Sequence, residues 1–340
     1  MLQPVPFETL AQALLDDSTP FPAKYLHRFS DISPEDLQII KNIWPQVSTN
    51  RKHNLLTDLE DLSETDTLTC FDDLARYLLG DPDGDVRALA IRLQWESEDV
   101  HLVPVYIKMM KEDESTEARA AAANALGQFV YLGELEKIPA ATQKLIEKKL
   151  LAAAKSAKQV LVRRRALESL GYSGREEVIP LIDAAYHDGK TDWLVSALFA
   201  MGRSCDERWN KQVLSQLRNP DDDVRSEAIH AAGELELKAA RPALLDLLED
   251  EEDPELRREL IWALSVIGGE GVRPRFQQLL DIEEDDEVVE FIEEAMDTLA
   301  LNEDSGPFSL IDVDPDVDFI EEDPDQDPDE SPDESLDQEE

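Results

Sequence analysis

The chain is built from short amphipathic segments, and Asn219 to Leu235, NPDDDVRSEAIHAAGEL, is a representative one. Asp221 can cap the free amide groups of a first helical turn, and the acids after it suit the positive end of a helix dipole. Val224, Ala228 and Ala232 fall on one face, because positions i, i+4 and i+8 are neighbours on a helix. The pattern predicts a helix that buries small residues, and the glycine after them leaves room for another helix to cross closely.

This pattern recurs along the chain with a nearly constant period. With the valine numbered as position zero, successive copies are spaced by 32, 44, 31, 31, 32 and 32 residues. Arginine follows position zero in five copies, and glycine occupies position nine in four. The apolar residues at position zero are Val86, Ala118, Val162, Trp193, Val224, Leu256 and Val288. A period near 32 made of short helices predicts a solenoid of stacked units.

A second apolar segment precedes each copy, such as the RPALLDLLED that begins at Arg241. Prolines recur near the start of these segments, where a proline costs a helix least: Pro104, Pro180, Pro242 and Pro274. Each unit is therefore predicted to be two antiparallel helices. Neither helix can bury its apolar face alone, so neighbouring pairs are expected to stack into one continuous core.

The pattern Asp-x-x-Val-Arg-x-x-x-Ala-x-x-x-Leu-Gly resembles HEAT repeats, specifically the short variety found in phycobilin lyase subunits and many bacterial proteins. DDDVRSEAIHAAG, STEARAAAANALG and LVRRRALESLG match it best. The resemblance implies an all-α fold, a right-handed α-solenoid of about seven to eight HEAT-like helix pairs. It also implies that the Val-Arg helices line the concave side and that their arginines bond the acidic turn of an adjacent repeat. These structural repeat arginines are Arg87, Arg119, Arg163, Arg225 and Arg257.

The two ends of the chain lack the repeat. Residues 1–49 are predicted to form an N-terminal helical cap, with Ser33 and Pro34 starting one of its helices. Residues 50–301 form the predicted HEAT-like solenoid, whose first, degenerate repeat begins near residue 50. Residues 302–340 are predicted to be a disordered acidic tail, because residues 301–340 hold 18 acids, no Lys or Arg and many Asp-Pro steps.

The net charge of −44 disfavours a nucleic-acid partner. The tail carries −18 and the rest of the chain −26, whereas binding of phosphates needs a basic face. The exception is the segment from Gln143 to Arg165, where eight Lys and Arg oppose the single Glu147 within the one 44-residue repeat. This segment is interpreted either as a solvated helix face or as a docking patch for an acidic partner.

The sequence does not indicate an enzyme or a cofactor protein. It contains no HExxH, GxSxG, GxGxxG or Walker motif, and no histidine precedes a glutamate, unlike the His-Glu pairs that hold iron in deoxyhypusine hydroxylases. We therefore expect no catalytic residues, no metal and no cofactor. Cys70 and Cys205 stand far apart without a CxxC, which favours a reducing compartment. With no signal peptide and no apolar run of the ~20 residues that cross a bilayer, the expected location is the cytoplasm, without membrane contact.

The candidate site is the concave face of the Val-Arg helices. Position six lies roughly opposite the buried position four, and in three successive repeats it carries a large ring: Phe199, His230 and Trp262. Neighbouring arginines complete the predicted partner-binding surface: Arg164, Arg165, Arg203 and Arg258. Aromatic residues and arginine are frequent hot spots of protein interfaces. Alternatively, Trp262 packs into the core and His230 is an ordinary polar surface residue.

The predicted function is a non-catalytic protein-binding or scaffolding module that uses the concave face. One alternative is an accessory subunit of an enzyme complex, or a lyase-like activity. Another is that the acidic tail mimics nucleic acid or sequesters a basic partner. Apolar residues interrupt the acids of the tail: Phe308, Ile311, Val313, Val317, Phe319 and Ile320. The tail is interpreted either as a solvated segment without contacts or as a segment that docks in cis on the concave groove.

Overall fold

The computed structural model describes residues 5–304, which form α-helices joined by turns and short 3₁₀ segments, with no strand in that range. The helices are α1 (Phe7–Leu15), α2 (Pro34–Ile43), α3 (Thr49–Thr65), α4 (Asp72–Leu78), α5 (Gly84–Arg92), α6 (Leu102–Glu112), α7 (Thr116–Glu134), α8 (Ala140–Ser156), α9 (Val160–Leu170), α10 (Ile179–Tyr186), α11 (Thr191–Arg203), α12 (Asn210–Gln216), α13 (Asp222–Glu234), α14 (Arg241–Asp250), α15 (Pro254–Ile267), α16 (Val272–Leu280) and α17 (Asp286–Asp304). The 3₁₀ segments are Ala23–Phe29, Trp44–Gln46, Glu207–Trp209 and Lys238–Ala240.

From α3 onwards the helices form two rows. The inner row consists of α3 and the odd-numbered helices from α5 to α17, and each of these packs on the next. The outer row consists of the even-numbered helices from α4 to α16, each of which packs on the helix that follows it. Because the inner helices meet one another more closely than the outer ones do, the stack curves with the inner row on its concave side. The seven pairs from α4–α5 to α16–α17, extended by α3, confirm the predicted α-solenoid.

The inner helices approach closely because the glycine at position nine leaves space. A Cβ atom on Gly171 would lie 2.9 Å from the Cα of Ala200 in α11, which is closer than side chains come in folded proteins. Gly202 faces the backbone of Ala231 in the same way, with 3.0 Å between the corresponding atoms. Small residues on both sides of each contact therefore set the distance between neighbouring repeats, as the sequence pattern predicts.

The N-terminal helices share an apolar core with α4 and α5. Trp44 Nε1 and Lys52 Nζ both donate to the buried Asp81, at 2.7 and 2.9 Å, so the turn before α5 is fixed to the N-terminal helices. Ser33 caps α2 by accepting a hydrogen bond from the amide of Asp36. The helix that follows, α3, lies beside α5 in the inner row, where a degenerate first repeat is expected. The domain boundary between residues 49 and 50 stays a prediction.

The one long repeat has a simple origin. α7 has 19 residues and α8 has 17, whereas most of the other helices of the two rows are shorter. The extra turns lengthen the spacing between the motif copies without changing how the inner helices stack.

The C-terminal helix α17 continues to Asp304, slightly beyond the predicted start of the tail. Residues 305–340, with all the apolar tail residues singled out in the sequence, lie outside the described residues. Within residues 5–304, the helices are all too short or too polar to cross a membrane.

Candidate functional site

Two of the repeat arginines reach the acidic turn of the following repeat. The Arg87 guanidinium donates from Nε to Oδ2 of Asp113, at 2.9 Å, and both side chains are largely buried. Burial by itself raises the pKa of Asp113, but hydrogen bonds from Arg87 and the Ser115 amide outweigh burial and lower it. Arg257 lies 3.3 Å from a carboxylate oxygen of Glu283 in the same geometry. These two arginines tie neighbouring repeats together.

The other three repeat arginines differ from the expectation, because they hydrogen-bond within their own helix pair. Arg119 donates to the carbonyl of Met110 and Arg163 to that of Ala154, at 2.9 and 3.2 Å. Both carbonyls belong to the last turn of an outer helix, where backbone oxygens lack an intrahelical partner. Arg225 similarly donates to a carbonyl in the turn after α12. Arg225 also pairs with Asp222 of its own repeat at 2.7 Å, so none of these contacts reaches the acidic turn of an adjacent repeat.

His230 on α13 and Trp262 on α15 stack their rings on the concave face. The ring centroids are 4.6 Å apart and the planes differ by 14°. His230 Nδ1 lies 2.7 Å from Oε1 of Glu259, and its Nε2 lies 3.5 Å from Oε1 of Glu234. Trp262 also covers Gly233, so its ring is half-buried between two repeats. Trp262 thus packs against the neighbouring helix while one edge of its ring remains on the surface.

Two titratable groups near this ring pair have shifted pKa values. Burial alone lowers the pKa of His230, but hydrogen bonds to Glu234 and Glu259 outweigh burial and raise it to about 10. The imidazole is therefore a cation at neutral pH, which favours its stacking on the indole. Burial raises the pKa of Glu227, one turn away on α13, to about 7 despite the nearby His230 cation. Its Oε1 is buried without a hydrogen-bond partner among the described residues.

Phe199 and Arg203 form a second aromatic group, one repeat further towards the N-terminus. The Arg203 guanidinium lies 3.9 Å from the ring centroid of Phe199 and 4.6 Å from that of Tyr172. Tyr172 in turn packs on Tyr131, with 5.2 Å between the centroids. Within residues 5–304 no carboxylate pairs with Arg203, so aromatic faces hold its charge in place.

The remaining predicted arginines have different environments. Arg164 donates to Ser196 and pairs with Asp192, at 2.8 and 3.0 Å, and its side chain is only 13% exposed. The Arg164 charge therefore stabilises the contact between α9 and α11. Arg165 pairs with the buried Glu168 at 2.6 Å. Arg258 is exposed and lies 5.0 Å from the ring centroid of Phe291.

A groove of about 420 Å³ runs along the concave face from α3 to α11 and is here called the inner groove. Its floor is α7, where Ala121 and Ala125 keep the surface low and Asn124 is exposed. Trp95, 52% exposed, stands on one side of the floor. Tyr172 and Arg203 stand on the other side. On the α5 side Arg92 is held by Glu60 through two hydrogen bonds.

The sequence profile of HEAT repeats matches residues 71–148 and 210–297. The chain is a HEAT-repeat protein. Among solved structures, it is 17% identical to YibA from Escherichia coli, covering 84% of this chain and 98% of that one, with a TM-score of 0.42. The CpcE–CpcF complex of phycocyanin lyase from a Nostoc species is 18% identical, covering 67% and 94%, with a TM-score of 0.44. Human deoxyhypusine hydroxylase in complex with glycerol is 19% identical, covering 77% and 95%, with a TM-score of 0.34.

A comparison with curated proteins found no match. Because their sequence identities and TM-scores are low, the similarities to solved structures concern the helical-repeat fold and carry no information on function.

The register of the HEAT repeats explains why sequence reasoning missed Trp95. This residue occupies position nine of the first motif copy, where each of the next four copies has glycine. α5 ends at Arg92, so the chain has turned before position nine and the indole is not inserted between helices. The signal that could have identified Trp95 was a large aromatic residue at a repeat position where the next four copies have glycine.

Among the residues that the structure describes, one cluster has metal-ligand residue types. His53, Asp83 and Asp85 place their ligand atoms within 4.8 Å of one another. Asp83 is the N-cap of α5 and already accepts hydrogen bonds from the amides of Asp85 and Val86, and His53 Nε2 lies 3.2 Å from it. Helix capping accounts for this arrangement.

Proposed function

We propose that this HEAT-repeat protein is a non-catalytic binding module that holds a segment of a partner protein in the inner groove. The observation that carries the proposal is the exposed Trp95, which lines the inner groove together with Tyr172, Arg203 and the surface of α7. Exposed aromatic rings beside a groove are favourable anchors, because burial by a partner removes a large apolar area from water.

The polar groups of the groove suit a polypeptide. Asn124 and Gln128 lie one turn apart on α7 and line the groove, so their side-chain amides can donate to and accept from a partner backbone. Glu60 and Arg92 neutralise each other, while Arg203 is held between aromatic rings. A partner segment therefore meets the rings of Trp95 and Tyr172 together with the amides of Asn124 and Gln128.

The His230–Trp262 pair and the exposed Arg258 extend the same concave face towards the C-terminus. We propose that they form a second contact region for a long partner segment, next to the group of Phe199 and Arg203. Arg164 and Arg165 are engaged with Asp192 and Glu168, and we assign them a supporting role behind this surface. An accessory subunit of an enzyme complex would use the same face, with an enzyme as its partner.

The predicted docking of residues 308–320 on the concave face lies outside the described residues. On that face two carboxylates, those of Glu234 and Glu259, outnumber the His230 cation that they hold, which disfavours an acidic segment. We therefore propose that the concave face binds a protein other than the acidic tail. We place the protein in a reducing compartment, the cytoplasm, because Cys70 and Cys205 are exposed and unpaired.

The proposal is tested by affinity capture from the source cells with wild type, Trp95→Ala and Ile282→Ala. Ile282 is 73% exposed in the turn before α17, outside the inner groove, so it controls for loss of an exposed apolar side chain. We expect the main captured protein to be lost with Trp95→Ala and retained with Ile282→Ala, while the far-ultraviolet spectra of all three agree. Equal capture by all three proteins refutes the proposed function.

A further inference from the structure

The outer row contains a groove that is unlike the rest of this acidic protein. It lies between α6 and α8, has a volume of about 490 Å³ and is not part of the inner groove. Its apolar part includes Ile107, Met110 and Val162 together with alanines of α8. α6 and α8 are in contact, but the small alanine side chains leave an open groove on the surface between them.

The charged residues that line this outer groove are all cations: Lys111, Arg119, Lys149 and Lys158. Lys111 pairs with the adjacent Glu112, and Arg119 donates to the carbonyl of Met110. Among residues 5–304 no carboxylate pairs with Lys149 or Lys158. The solvent face of α8 adds further exposed lysines along one side of the groove: Lys144, Lys148 and Lys155. This surface therefore attracts anions, although the whole chain carries a net charge of −44.

One segment of the chain has the complementary chemistry. Residues 308–320, FSLIDVDPDVDFI, alternate apolar side chains with aspartates and contain no cation. Residues 1–300 together carry a net charge of −26, which disfavours contact with such a segment, whereas the outer groove offers apolar area flanked by cations.

The reach of the chain favours a second copy as the source of the segment. α17 ends at Asp304 in the seventh pair, and the outer groove lies between the second and third pairs. At an interhelical distance of 8–10 Å, four to five pairs correspond to about 40 Å, before the step from the inner to the outer row is added. The ten residues from Asp304 to Asp314, the middle of the segment, span at most about 35 Å when fully extended. A second copy has no such limit.

We propose that the outer groove between α6 and α8 binds residues 308–320 of a second copy of this chain. Two copies can exchange segments reciprocally, which closes the assembly as a symmetric dimer. This contact is separate from the inner groove and leaves the concave face free for another partner.

The test is sedimentation velocity of the full chain over a range of protein concentrations at low salt. We expect wild type to pass from monomer to dimer and the dimer to weaken as salt is added, because exposed charge pairs are screened. The charge reversals Lys149→Glu and Lys158→Glu, combined, should weaken association by at least about tenfold, as should Phe308→Ser combined with Phe319→Ser.

Controls separate this contact from general charge effects and from unfolding. Lys137→Glu combined with Lys190→Glu reverses two exposed lysines elsewhere and should leave association unchanged. Lys158 is exposed in the turn between α8 and α9, so Lys158→Glu alone should act in the same direction without affecting the melting temperature. Mixing the variant with Lys149→Glu and Lys158→Glu with the variant with Phe308→Ser and Phe319→Ser should restore part of the association. The intact groove of the second variant can then bind the intact segment of the first.

Several results overturn the proposal. The proposal is wrong if wild type stays monomeric at every concentration. It is also wrong if the variant with Lys149→Glu and Lys158→Glu still forms the dimer. Cross-links from the tail to the outer groove within a monomer would assign the contact to the same chain instead. Binding of a DNA duplex to the lysines of α8, without self-association, would assign the surface to nucleic acid.

Discussion

The His230 imidazole lies flat against the Trp262 indole, and the same His230 bonds Glu259 of the helix that carries the indole. α13 and α15 are thus joined on the concave face by a stacked pair and a hydrogen bond to a charged group. Beneath the rings, Gly233 provides the space that Trp262 occupies. A pair that the sequence offered as a binding surface is therefore also a structural link between two repeats.

The Glu227 carboxyl should make stability depend on pH. Its pKa is raised to about 7 in the folded chain from an ordinary value of 4.5, so the folded state favours the protonated form. The cost of burying the charge grows as the pH rises from about 4.5 and is complete above about 7. Glu227→Gln should therefore stabilise the protein by about 1–3 kcal/mol more at pH 8.5 than at pH 4.5, as measured by urea unfolding. Glu176→Gln, at an exposed position, should show no such difference.

Replacement of Trp262 and replacement of Trp95 should have different effects on the free energy of unfolding. Trp262→Ala removes a half-buried ring between repeats and should lower the free energy of unfolding by about 1–3 kcal/mol. Trp95→Ala removes an exposed ring and should cost no more than about 0.5 kcal/mol. Thermal unfolding followed by circular dichroism measures both. Similar losses of stability in the two variants would contradict the different environments assigned to them.

The position-nine glycine should be intolerant of a methyl group. Gly171→Ala brings a Cβ to 2.9 Å from backbone atoms of Ala200, and the two helices must move apart at a cost of about 1–3 kcal/mol. Gly80→Ala is the matched control, since its nearest atom would be 3.8 Å away. Differential scanning calorimetry should show a lower melting temperature for the first variant only. If Gly80→Ala is equally harmful, close helix contact is not the reason for the glycine.

The Arg87–Asp113 pair should contribute more than an exposed pair does. Arg87→Ala leaves a largely buried carboxylate without its partner and should destabilise the chain by about 2–4 kcal/mol. Arg218→Ala breaks the exposed pair with Asp246 and should change stability by less than about 1 kcal/mol. Chemical denaturation at neutral pH compares the two. Indistinguishable midpoints would mean that the buried pair is not a link between repeats.

Local and periodic features were predictable from sequence because neighbours along the chain determine them. Asp221 and Asp253 cap their helices through hydrogen bonds to the third following amide, and the period near 32 gave the stacked helix pairs. The hydrogen-bond partners of the repeat arginines were not predictable, because Arg119 and Arg163 donate to backbone carbonyls of another helix.

The concave surface was only partly predictable, because the burial of a helix position differs from one repeat to the next. Position six is exposed at Asn124 but fully buried at Glu168, where Ser196 donates a hydrogen bond at 2.6 Å. A single helical column therefore does not map onto a single face of the solenoid. Trp95 lay outside that column and became visible only when the turn after α5 was known.

The most direct test of the proposed function is site-specific photo-crosslinking in the source cells. A photoreactive phenylalanine derivative is placed at Trp95, at Gln128 or at Ile282, and the adducts are compared by mass. We expect positions 95 and 128, which both line the inner groove, to give an adduct with the same partner protein, and position 282 to give none. A partner that cross-links at position 282 and at neither groove position would contradict the proposed function.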